Sequence, residues 1–196
     1  MERMRTFIAI ELPEAIRSGL QQEIETLRAL PSGRAVRWAS AAGIHVTLKF
    51  LGEVAADRTD DIVKIMADVA AGHSPFELCV RGLGAFPNVR RPRVVWMGIQ
   101  DRSGQLAHAQ KELEDRLSRV GFERESRAFN PHLTLGRVRR EASGGDVEHL
   151  GQALARATGP EIGEFLVEGL SLMRSELHPS GAVYSRIGQA PLGGAH

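Results

Sequence analysis

Two tetrapeptides of one pattern, His45-Val46-Thr47-Leu48 and His132-Leu133-Thr134-Leu135, stand 87 residues apart (132 minus 45) in a chain of 196. The same offset carries Val80 to Val167, Gly82 to Gly169 and Leu83 to Leu170. Matches at one fixed spacing in two separate apolar segments point to an internal duplication, and two copies are too few for a solenoid. A chain so duplicated is expected to fold as a pseudo-twofold pair of α+β lobes.

The patterning between the anchors agrees. An opening strand within Met1 to Glu11 leads into a helix on which Ile16, Leu20, Ile24, Leu27 and Leu30 recur at helical spacing, with Pro13 in its first turn and Pro31-Ser32-Gly33 as its stop. Alternation predicts a strand from Ile44 to Leu51. Asp57 is placed to cap a helix carrying Ile62, Ile65, Met66 and Val69, and Phe76 to Leu83 reads as the next strand. The order then repeats: a strand from Arg93 to Ile99, a helix from Gly104 to Val120, a strand from Ala128 to Val138 and a helix from Val147 to Ala157. Strands near Phe165 to Met173 and Ala182 to Ile187 complete it. Residues 1–190 are expected to form a single domain of two intertwined lobes, and the glycine-rich residues 191–196 a flexible tail.

Composition narrows the function classes. Net charge is +1, from 25 basic and 24 acidic residues, so no broad positive field exists for indiscriminate nucleic-acid binding, and any such contact must be local. One cysteine, Cys79, lies in an apolar alternation and reads as a small buried hydrophobe; one thiol can build neither a disulfide nor a thiolate zinc site. The opening apolar run is too short for a signal peptide and no segment has the length of a membrane span, which together predict a cytoplasmic protein.

On a strand, residues two apart share a face, so each His projects with its Thr while Val46 and Leu48, or Leu133 and Leu135, turn into apolar packing. Either motif alone is weak, because a strand histidine is commonly a hydrogen-bonded structural residue. If the lobes face each other, however, the duplication gathers two imidazoles and two hydroxyls around one cleft. Phosphodiester cleavage needs such a pair: a base for the nucleophile's proton and an acid for the departing alkoxide, both within histidine's reach near neutral pH. The threonine hydroxyls can donate to nonbridging phosphate oxygens. A histidine metal site competes, but the motifs hold no Asp, Glu or Cys, and Glu53 beside the first has no counterpart on the second. No metal or cofactor is expected.

These motifs resemble those of the two-histidine phosphoesterase superfamily, and the chain is similar to its LigT-like branch of RNA 2′,3′-cyclic phosphodiesterases, also called the 2′-5′ RNA ligase family. The likeness extends to Arg5-Thr6-Phe7-Ile8-Ala9-Ile10, Val36-Arg37-Trp38, Phe50-Leu51-Gly52-Glu53, Phe86-Pro87 and Pro131. It implies two antiparallel sheets facing a central cleft with helices outside, and hydrolysis of RNA 2′,3′-cyclic phosphate ends to 2′-phosphomonoesters. It also implies His45 as proton donor and His132 as proton acceptor, with Phe50 and Arg137 holding the nucleotide. Phe50 and Arg137 each lie five residues from a histidine, an odd step that puts them on the wrong face of an unbroken strand, so a strand end, a twist or a bulge is required.

Trp38 is a further stacking candidate, and Arg90, Arg91 and Arg93 are candidate phosphate contacts. His73, His108, His149 and His178 have no hydroxyl in register and read as surface or structural. The expected partners are RNA ends or nucleotides bearing a cyclic phosphate, tRNA fragments among them, with a monomeric protein and no obligatory protein partner. Two alternatives stay open: a cleft that binds RNA ends or nucleotides without turnover, and reversible 2′-5′ joining of RNA.

Overall fold

The computed structural model describes residues 3–157, 159–178 and 181–193. The elements in order are β1 (Arg3–Glu11), α1 (Glu14–Arg28), β2 (Val36–Trp38), β3 (His45–Ala55), α2 (Thr59–Ala70), β4 (Phe76–Phe86) and β5 (Val94–Gln100). They continue with α3 (Gln105–Arg119), β6 (His132–Val138), α4 (Gly144–Arg156), β7 (Glu161–Val167), β8 (Gly169–His178) and β9 (Gly181–Pro191). Two antiparallel sheets result, one ordered β3-β1-β8-β9 and the other β2-β6-β5-β4-β7.

The halves exchange a strand. β1 and β3 of the first half are completed by β8 of the second, and β5 and β6 of the second by β4 of the first. The exchange pairs the open edges of β1 and β5 with strands of the other half. The 87-residue offset governs the pairing itself. Glu11 faces His45 as Gly98 faces His132, Ala9 faces Thr47 as Trp96 faces Thr134, and Phe7 faces Phe50 as Val94 faces Arg137. On the exchanged strands, Ala9 faces Ser171 as Trp96 faces Gly84.

Each helix presents an apolar stripe to the sheets: Ile16, Leu20, Ile24 and Leu27 on α1, Ile62, Met66 and Val69 on α2, Leu106, Leu113 and Leu117 on α3, Leu150 and Leu154 on α4. These join β-strand residues from both halves in one core. Cys79 is buried, as its alternation predicts. No described helix is long and apolar enough to cross a membrane.

Several boundaries differ from expectation. Asp57 does not cap α2: it lies in a 3-10 turn over Ala56–Arg58, and the helix begins at Thr59, whose hydroxyl donates to the Ala56 carbonyl. Pro13 stands just before α1 in an extended conformation, its carbonyl accepting the Arg17 N–H. The strand expected from Ala128 starts only at His132. The apolar run from Phe165 to Met173 is broken at Glu168, sending β7 to one sheet and β8 to the other. The tail expected from residue 191 is anchored at its start: Pro191 pairs with Gly169, buried Leu192 donates to the Glu168 carbonyl and Gly193 to that of Ala70. Residues 194–196 lie outside the described residues.

Candidate active site

The motif strands β3 and β6 belong to different sheets and approach each other across a cleft of about 450 Å³. Its walls include His45, Thr47, His132 and Thr134 together with Phe50, Arg137 and Trp38. All seven residues expected at the site therefore line one cavity.

The odd spacing of Phe50 and Arg137 is resolved by a bulge in each motif strand. Between Ala9 and Ile8, β3 advances from Thr47 to Lys49, and between Trp96 and Val95, β6 advances from Thr134 to Gly136. Leu48 and Leu135 are the extra residues, again 87 apart. The signature is two consecutive buried residues in an alternating strand, Leu48-Lys49 and Leu135-Gly136. An extra residue reverses the alternation beyond it, which turns Phe50 and Arg137 onto the histidine face. Phe50 is accordingly 63% exposed although it stands mid-strand.

Both imidazoles are held the same way. Nδ1 of His45 lies 2.9 Å from the Gly43 carbonyl, and Nδ1 of His132 lies 2.7 Å from the Asn130 carbonyl. A carbonyl can only accept, so Nδ1 carries the proton in each ring, and Nε2 is left for whatever enters the cleft. The surroundings of the two rings differ. His45 stacks on Phe7 with centroids 4.5 Å apart and meets the edge of Tyr184 at 5.0 Å, whereas His132 meets the edge of Phe86 at 4.8 Å. Burial pulls the His45 pKa below the ordinary imidazole value, opposed by the Gly43 carbonyl and by the charge of Glu11. Glu11, the cross-strand neighbour of His45, is itself engaged by Ser171 Oγ at 2.7 Å and Arg186 Nη1 at 2.9 Å.

Arg5, Arg37 and Arg137 line the cleft, and among the described residues no carboxylate does. In a chain of net charge +1 this concentrates positive potential on one concavity, the local footprint that composition allowed. Among the described residues no group of three or more His, Cys, Asp or Glu side chains is placed to hold a metal. Trp38 is half-buried, its Nε1 donating to the Gly33 carbonyl at 3.0 Å, so it forms a fixed wall.

Arg90, Arg91 and Arg93 are not among the lining residues. They sit in and after the β4–β5 turn, where Asn88 Oδ1 accepts the Arg90 and Arg91 amides and the Phe86 carbonyl accepts that of Arg93. His73 is buried between Gln105 and Glu112, while His108, His149 and His178 are exposed and are not among the lining residues, although the chain neighbour and ladder partner of His178, Leu177 and Gly181, are. Sequence reasoning missed Phe7, Ser175 and Tyr184. The β8–β9 hairpin that brings the last two is an element whose pairing no local pattern announces.

The chain matches the family model described as the 2′-5′ RNA ligase superfamily over residues 16–179. It is 33% identical over 183 residues to the RNA 2′,3′-cyclic phosphodiesterase of Methanothermobacter thermautotrophicus, covering 93% of this chain and 96% of that protein. Among solved structures, a protein of Thermus thermophilus superposes with a TM-score of 0.78 at 31% identity, covering 98% of this chain and 100% of that one. E. coli LigT complexed with 3′-AMP superposes with a TM-score of 0.75 at 25% identity, covering 97% and 99%.

Proposed function

Because the chain belongs to the 2′-5′ RNA ligase superfamily, we propose that it is an RNA 2′,3′-cyclic phosphodiesterase working by general acid and base catalysis between His45 and His132. The observation that carries this reading is the pair of imidazoles in one cleft, each with Nδ1 tied to a carbonyl two residues back and, among the described residues, with Nε2 unengaged and no carboxylate in the lining.

In the reaction, water attacks phosphorus while Nε2 of neutral His132 takes its proton. The bond from phosphorus to the ribose 3′-oxygen breaks, and Nε2 of protonated His45 supplies the proton to that oxygen. The phosphoryl group stays on the 2′-oxygen as a monoester. Acid and base are each worth about 10² to 10⁴ in rate, or roughly 3 to 5 kcal/mol. Thr47 and Thr134 donate to the nonbridging oxygens, where a hydrogen bond to a charged group is worth about 1.5 to 3 kcal/mol. Arg137 forks onto the phosphoryl group, and the terminal base stacks on Phe50.

The test is an RNA oligonucleotide with a 2′,3′-cyclic end, incubated with protein in chelator, followed by separation of 2′- from 3′-phosphate products. The expected result is a 2′-phosphomonoester at a rate that chelator leaves unchanged. Tight binding without turnover across a panel of cyclic substrates would establish a binding module instead, and activity abolished by chelator and restored by zinc would overturn the two-histidine chemistry. Phe50→Ala is expected to raise KM with little change in kcat, because base stacking on an aromatic contributes about 1–3 kcal/mol and is made before and during the reaction alike. A drop in kcat at unchanged KM would remove Phe50 from the nucleotide site.

A further inference from the structure

Trp38 and Arg37 belong to two cavities at once. On one side is the cleft; on the other is a recess of about 490 Å³ whose lining also includes Arg28, Arg34 and Arg139 and, among the described residues, no carboxylate. It is built by the end of α1, the turn before β2 and the residue after β6. Arg139 is pinned there by its amide, which donates to the Ala35 carbonyl.

The charges in this recess are not explained by the fold. Arg37 lies directly opposite Arg137 in the β2–β6 pair, a cross-strand juxtaposition of like charges that destabilises a sheet. Neither guanidinium, nor that of Arg28, has a carboxylate partner among the described residues. Of the two arginines that do have one, Arg34 is exposed and hydrogen-bonds the half-buried Asp146 at 3.1 Å, and Arg139 meets the exposed Glu141 at 3.8 Å, a surface pair of small worth. An anion lying along Arg37 relieves the repulsion from Arg137 and draws on all four recess arginines. The path from the histidines runs through Arg137 and Arg37 and past the Trp38 indole, whose Nε1 bond to Gly33 fixes it as a wall between the cavities.

We propose that this recess is a second subsite, which receives the phosphodiesters on the 5′ side of the cyclic end and makes the enzyme selective for RNA strands over mononucleotides. The inference rests on the cleft being a cyclic-phosphate site. A strand with a 2′,3′-cyclic end can continue only from its 5′ side. A nucleoside 2′,3′-cyclic phosphate has no phosphate there and leaves the recess empty.

The experiment compares kcat/KM for a nucleoside 2′,3′-cyclic phosphate with that for a tetranucleotide of the same terminal nucleotide, across a series of salt concentrations, in the unaltered protein and in the double variant Arg28→Ala/Arg139→Ala. Both arginines are exposed, so the variant keeps the core. The unaltered protein is expected to favour the tetranucleotide by about tenfold or more at low salt. Its log–log salt slope should steepen by roughly 0.7 for each phosphate contact on a single strand. The double variant is expected to lose most of that preference through KM, to show a shallower slope, and to open the mononucleotide as before. Equal efficiency on both substrates in the unaltered protein, or a double variant that slows both alike, would overturn the second subsite while leaving the cleft's assignment standing. Failure to open either substrate would remove the assignment and the subsite together.

Discussion

Replacing His132 by alanine is expected to lower kcat/KM on a cyclic-phosphate end by about 10² to 10⁴, and replacing His45 to do so by a similar factor. The two losses should respond oppositely to a change in the leaving group. When sulfur replaces the 3′-oxygen of the substrate, a thiolate departs without needing a proton, so the acid becomes dispensable while the base does not. His45→Ala should then recover most of its deficit relative to the unaltered protein, and His132→Ala should not. Recovery by His132→Ala alone would reverse the two roles. The pH profile of the unaltered protein adds a sign. His45 must be protonated to act as acid, and its protonated fraction falls as pH rises through its pKa. Burial sets that pKa below the usual imidazole value of about 6.5, so the limb of kcat/KM that belongs to His45 in the free enzyme falls below neutrality. A bound phosphate anion favours imidazolium, so the same limb in kcat should lie at higher pH.

The duplication was legible because it is written in residue identities at one spacing, and the pairing preserves that spacing: Thr47 and Thr134, Phe50 and Arg137, and Ser171 and Gly84 occupy matching ladder positions. The helices were legible from their stripes. What could not be read was whatever depends on the partner strand. A bulge exists only relative to a neighbour, so alternation alone placed Phe50 and Arg137 on the wrong face, and it put Lys49 beside the histidine on the open face, where a lysine gives no warning. β2 is three residues long, too short for any period, yet it carries Arg37 and Trp38 to the cleft. The division at Glu168 follows from β8 joining β1 while β7 stays beside β4, a competition between sheets that a continuous apolar run conceals. Arg90, Arg91 and Arg93 show the converse error: clustered charge in sequence, displaced from the cleft by the turn that holds it.

Lys49→Met is expected to destabilise the fold by about 3–5 kcal/mol, read as a lower urea midpoint at unchanged slope. The bulge that delivers Phe50 to the cleft turns Lys49 to the back of β3. There its Nζ lies 2.8 Å from Glu114 Oε2 and 2.8 Å from the Glu123 carbonyl, with the side chains only 3% and 10% exposed. Removing the ammonium strands a buried carboxylate, whose Oε1 already has no partner among the described residues. The double variant Lys49→Met/Glu114→Leu should regain most of the loss, since a buried ion pair exchanged for apolar side chains of similar volume costs little. An unchanged midpoint in the single variant would show that water reaches Glu114. The corresponding residue in the second motif is Gly136, where a Cβ would stand 2.5 Å from Val36 Cγ1. The two bulges thus meet one requirement by different means. The first fills the space behind it with an ion pair that ties β3 to α3 and to the segment leading toward His132, and the second leaves that space empty so that β2 can close against β6 and bring Arg37 and Trp38 to the cleft. Lys49→Met should therefore also depress kcat/KM at temperatures where the variant is still folded, through loosening of the segment ahead of His132, and Lys49→Met/Glu114→Leu should restore the midpoint more fully than it restores the rate.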